Sequence, residues 1–129
     1  MVDDQLPDMP PFSLEQSDLV MALLPDAVML LENDFLTSGL ELKLQGKISP
    51  KGQVGDVFDL REIVSKQVQK TGGPGSEQFY RLLYRADIPE IKITELLNEE
   101  VKEPFEIRVA ELLIIRALQK AFFRRKYKS

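Results

Sequence analysis

The chain has 129 residues, a formal net charge of −4 and 43% hydrophobic content, which suits one folded unit rather than a disordered chain. It contains no cysteine and no histidine. Disulfides, thiolate chemistry, catalytic triads and zinc or haem sites of the familiar kinds are therefore excluded, and no cofactor is expected. Carboxylate chemistry and an oxygen-ligated magnesium or calcium site stay open.

Residues 1–12 place Pro7, Pro10 and Pro11 among Asp3, Asp4 and Asp8, the composition of a flexible acidic leader to a single helical domain over 13–129. A secretory signal needs a basic start followed by an apolar run, and neither is present here. The longest unbroken stretch of large apolar residues, Leu112 to Ile115, falls far short of the ~20 residues that span a bilayer. A cytoplasmic protein without membrane association is the expectation.

Ser13, with Gln16 three residues on, has the pattern of a capping box. Leu14, Leu19, Val20, Leu23 and Leu24 then predict a helix that ends before Pro25. Pro25 fits the first turn of a second helix, which would bury Val28, Leu31, Phe35 and Leu36 and stop at Gly39. Over 40–48, Leu40, Leu42 and Leu44 alternate with Glu41, Lys43 and Gln45, and Ser49-Pro50-Lys51-Gly52 supplies turn residues. Two readings fit 40–58 equally: a short hairpin, or a continued helix followed by a long loop.

From Val57 the period becomes helical, through Leu60, Ile63, Val64 and Val68, up to Thr71. Gly72-Gly73-Pro74-Gly75 interrupts it. Phe79, Leu82, Leu83 and Ala86 mark the next helix, which ends near Ile88-Pro89. A shorter one carries Ile93, Leu96, Leu97 and Val101, and Pro104 opens the longest, to about Lys126. No internal repeat indicates a solenoid. The fold expected is a mainly α, compact bundle of five or six helices, with one hairpin near 40–58 as a variant.

The last helix is apolar on more than one face, from Phe105 and Ile107 through Leu112, Leu113, Ile114 and Ile115 to Phe122 and Phe123. Burial in the middle of the bundle explains this, and so does a second face that meets another chain as a homodimer.

Four groups of residues invite functional readings. Gly72 to Gly75 precede a helix N-terminus that could cradle an anion, but Ser76-Glu77-Gln78 lacks a phosphate-loop ending, which favours a plain inter-helix loop. Tyr80, Arg81, Tyr84 and Arg85 form two i,i+4 pairs on one helix, an interaction surface built from residue types that anchor interfaces. The competing reading is a solvated face. Glu95, Glu99, Glu100 and Glu103 carry carboxylates without the spacing of a calcium loop and read as a solvated acidic surface, so no metal site is assigned.

The fourth group follows the charge layout. Residues 1–60 hold 11 acids and 3 bases, whereas 61–129 hold 10 acids and 14 bases. Arg116, Lys120, Arg124, Arg125, Lys126 and Lys128 form a basic C-terminal patch beside Phe122, Phe123 and Tyr127. Single-stranded nucleic acid suits that mixture. Cations at a helix C-terminus also satisfy its free carbonyls and its dipole, and the overall pI near 4.9 favours this structural role.

Phe79-Tyr80-Arg81-Leu82-Leu83-Tyr84-Arg85-Ala86-Asp87-Ile88-Pro89-Glu90 and Ala110-Glu111-Leu112-Leu113-Ile114-Ile115-Arg116-Ala117-Leu118-Gln119-Lys120 together resemble segments of a group of small uncharacterised helical proteins of Bacteroidota-type bacteria. The resemblance is confined to the last 50 residues or so. It implies a helical bacterial protein and carries over no catalytic residue. The function expected is that of a non-enzymatic interaction or adaptor protein, homodimeric in one version, with a protein partner or self-association. A nucleic-acid-associated accessory protein using the basic C-terminal helix is the alternative, and a carboxylate-dependent enzyme ranks behind both.

Overall fold

A computed structural model describes residues 18–40, 57–98 and 104–127. Five helices and no strand occur among them: α1 Asp18–Thr37, α2 Val57–Lys70, α3 Glu77–Arg85, α4 Glu90–Asn98 and α5 Phe105–Tyr127. The mainly α bundle holds. The acidic leader, the Ser13 cap, most of the hairpin segment, Val101 and Lys128 lie outside the described residues, but Val57 and Phe58 belong to α2.

Helix α5 is the centre. From Phe105 to Phe123 every residue is buried or half-buried, and exposure begins only at Arg124. Helices α1 and α2 each make their main contact with α5, while α3 closes on α1 and α4 on α5. The double apolar face thus has an internal explanation: α1 covers one side and α2 the other. Val109, Ala110, Leu113, Ile114, Ala117, Leu118 and Ala121 form the spine of a core shared with all four other helices. Alanines on this spine let the neighbours approach closely. Across the α2–α5 seam, Glu111 accepts from Arg61 and lies 3.5 Å from Arg108.

The break expected at Pro25 does not occur. Helix α1 runs unbroken for 20 residues with Pro25 inside it. An interior proline removes one backbone hydrogen bond and costs about 3 kcal/mol, so something must offset it. Val20, Leu23, Leu24, Ala27, Val28, Leu31 and Phe35 are all buried, and they form one continuous stripe across the proline. Splitting the helix would break that stripe. At about 3.6 residues per turn, Pro25 falls on the opposite side, where water can serve the carbonyl that lost its donor.

The same geometry corrects Leu36. It was expected in the core, but it is 68% exposed, because it shares the outer side with Pro25 and Met29. Similarly, Leu19 and Leu97 are exposed rather than buried.

Two helices end in the same way. Leu40 N–H donates to Phe35 O (2.8 Å) and Gly39 N–H to Leu36 O (3.1 Å), with Gly39 at φ +84°. Ile88 N–H donates to Leu83 O (2.9 Å) and Asp87 N–H to Tyr84 O (3.2 Å), with Asp87 at φ +60°. Both are left-handed caps that recover the last carbonyls and turn an apolar residue, Leu40 or Ile88, back onto the core.

Candidate functional site

Helix α3 is short, and both ends are fastened. Ser76 caps its start, its Oγ accepting from Phe79 N–H at 3.4 Å. The preceding glycine turn is tied internally: Thr71 Oγ1 donates to Val68 O at 2.6 Å and accepts from Gly73 N–H at 3.1 Å. Ser76 N–H donates to Gly73 O at 3.0 Å. With donors engaged this way and Glu77 in the first turn, the segment 72–75 is a connecting turn. Gln78 reaches across to the end of α1, its amide 3.4 Å from the carbonyls of both Ser38 and Gly39.

On the inner side of α3, Phe79, Leu82 and Leu83 are buried. The ring of Phe79 lies 6.2 Å from that of Phe105 at the start of α5. These anchors divide the four residues singled out in the sequence. Tyr80 is half-buried, edge-on to Phe79 at 5.4 Å, and belongs partly to the core. Arg81, Tyr84 and Arg85 are exposed, and Tyr84 is 78% exposed. Arg81 makes one weak contact, 3.5 Å to Glu77. An aromatic ring flanked by two guanidinium groups therefore stands out from a helix whose position is over-determined.

Beneath the C-terminal end of α3 lies a charge pair that the sequence reading missed. Asp34 of α1 is 7% exposed, and its carboxylate accepts from Lys120 Nζ of α5 at 3.0 Å. Burial pushes the Asp34 carboxyl above its ordinary value, outweighing the hydrogen bond and charge of Lys120. Asp87 pushes in the same direction and Arg85 in the other, so α3 and its cap sit within electrostatic reach of the pair. A signal was there to find: Asp34 is three residues beyond Leu31 and seven beyond Ala27, an acid in core register.

The basic C-terminal patch is not one surface. Lys120 is committed to Asp34, and Arg125 lies 3.3 Å from Asp26 of α1. Arg116 is half-buried and donates to Gln119 at 3.1 Å, while Arg124 and Lys126 are exposed at the helix end. From Asp26 to Asp34 along α1 the partner on α5 steps back from Arg125 to Lys120, so α1 and α5 run antiparallel.

Of the acidic residues at 95–103, Glu95 is exposed near Lys92, and Glu99, Glu100 and Glu103 lie outside the described residues. Among the described residues no three acidic side chains gather as a metal site, and no helix is long and apolar enough to cross a membrane. No protein-family model, curated protein or solved structure matches the chain.

Proposed function

We propose that the protein is a non-enzymatic interaction module, an adaptor, which recognises an acidic segment of a protein partner through the exposed face of α3. The observation that carries this is Tyr84, 78% exposed between Arg81 and Arg85 on a helix pinned at both ends. Tyrosine and arginine supply contact area and directed hydrogen bonds at modest entropic cost, and a rigid mount keeps that cost low. The absence of histidine and cysteine supports the non-enzymatic part, because neutral-pH acid–base and nucleophilic chemistry rely on them most. Placement in the cytoplasm of a bacterial cell belongs to the same proposal. So does the low rank given to nucleic acid: Lys120 and Arg125 are engaged by α1 acids.

Affinity capture from the native host should compare the protein with its Tyr84→Ala/Arg85→Glu variant, helical content being checked by circular dichroism. The proposal expects a protein bound by the first and lost with the second, with binding weakened by salt. An identical set of captured proteins for both would overturn it.

A further inference from the structure

Asp34 sits where three helices meet. It is 7% exposed on α1, and Lys120 of α5 donates to its carboxylate at 3.0 Å. Helix α3 ends beside this pair. Ala86 and Ile88 are both buried, so the turn between them, with Asp87 at φ +60°, is seated on the core. Arg85 and Asp87 are thereby held as exposed charges at the rim of a buried ion pair. The helices packed most closely against α1 are α5 and α3, and the charges that act on Asp34 from them are Lys120, Arg85 and Asp87. One turn away on α1 itself, Leu30, Leu31, Thr37 and Ser38 carry no charge.

Arg85 thus serves two settings. Outward it belongs to the Tyr84 surface, and inward its charge acts on Asp34. Unlike Arg81, it has no carboxylate at ion-pair distance among the described residues, so it is available to a partner. We infer that the α3 surface is linked to the protonation of Asp34, so that an acidic partner binds more tightly as pH falls and takes up a proton on binding. The inference rests on the α3 reading and adds its regulation.

In the free protein, the charge of Arg85 favours the Asp34 carboxylate over its protonated form. An anionic group of the partner on Arg85 cancels that support and brings further negative charge toward Asp34. The complex therefore holds the proton more tightly than the free protein does. By reciprocity, protonated Asp34 favours the partner: one buried negative charge is gone and the positive charge of Lys120 is left unopposed. Because burial already raises the Asp34 carboxyl, the response falls above the ordinary carboxylate range.

The probe is a labelled peptide of about ten residues, leucine and cysteic acid, whose sulfonates keep their charge where carboxylates would titrate. Its binding to the full chain is followed by fluorescence anisotropy as pH is lowered from neutral toward the ordinary carboxylate value. Affinity for the natural protein should rise about threefold, a modest factor because Arg85 is exposed and screened by water and salt. Asp34→Asn should show the tighter affinity already at neutral pH and little change below it. This substitution keeps the size of the side chain and an acceptor for Lys120, and circular dichroism checks the fold. A second readout needs no partner. The Asp34 carboxyl carbon, followed by NMR, should titrate at higher pH in Arg85→Gln than in the natural protein.

Equal pH profiles for the natural protein and Asp34→Asn overturn the inference and leave the α3 reading standing. So does an Asp34 titration that Arg85→Gln leaves in place. A peptide that binds at no pH, or that binds Tyr84→Ala/Arg85→Glu equally well, overturns the α3 reading and this inference with it.

Discussion

Helices α1 and α5 look alike in the sequence and differ in their surroundings. Both carry more apolar residues than a single stripe needs. In α5 the second face is covered, because α1 and α2 flank it on two sides. In α1 the inner side is covered by α5 and α3, and on the outer side Met29 and Leu36 stay largely exposed, with no other described helix packed over them. An over-apolar helix therefore states how many surfaces it must satisfy, not where they come from. For α5 the described helices supply both; for α1 they supply one.

Adjacent residues on α1 offer the sharpest way to break that contrast. Phe35 is fully buried and Leu36 is largely exposed. Phe35→Ala should cost about 3–5 kcal/mol in urea unfolding, and Leu36→Ala should stay within about 0.5 kcal/mol. Comparable losses at the two positions would mean that the outer side is covered within the chain.

Next in size is the pair that ties the two helices together. Asp34→Ala leaves Lys120 without its partner and should cost about 2–3 kcal/mol, less than for a fully buried ion because Lys120 is partly exposed. Replacing both, as Asp34→Leu/Lys120→Met, should cost less than the sum of the single changes. The pH dependence has a definite sign. With the Asp34 carboxyl raised by burial, the folded state binds its proton more tightly than the unfolded state does. Its contribution to stability is thus fully present below the unfolded value and is lost as pH rises through the folded one. Relative to the double variant, the natural protein should gain stability as pH falls through that window. A parallel pH dependence for both proteins would contradict the assignment.

The smallest effect compares the ends of α1 and α3. Both use a left-handed cap, but α1 has Gly39 there and α3 has Asp87. A side chain in that conformation is strained, so Asp87→Gly should stabilise the protein by about 0.5–1 kcal/mol in thermal or urea unfolding. It also removes a carboxylate within reach of Asp34, which should bring the Asp34 pKa down. Destabilisation by this change would show that the Asp87 side chain has a structural partner.

Much of this arrangement is legible in the residues alone. Helical spacing places α2 to α5, and Gly39, the 72–75 turn and Pro104 mark ends that the structure keeps. Pro25 misleads because the local rule for proline competes with a stripe of seven buried residues whose value is tertiary. Leu36 misleads for a related reason: once Pro25 no longer resets the helix, Leu36 falls on the outer side. Asp34 and Lys120 are 86 residues apart, so no local pattern joins them, although Asp34 in core register was a visible clue. Tyr80, Arg81, Tyr84 and Arg85 were found as a group, and only the packing of Tyr80 on Phe79 shows that one of them leans inward.

The central contrast, α5 covered on both sides and α1 on one, can be read directly from methyl NMR spectra with a soluble paramagnetic agent. The methyl signals of Met29 and Leu36 should broaden strongly, while those of Leu113, Ile114 and Leu118 in α5 stay sharp. Equal protection of Met29 and Leu36, or strong broadening along α5, would contradict it.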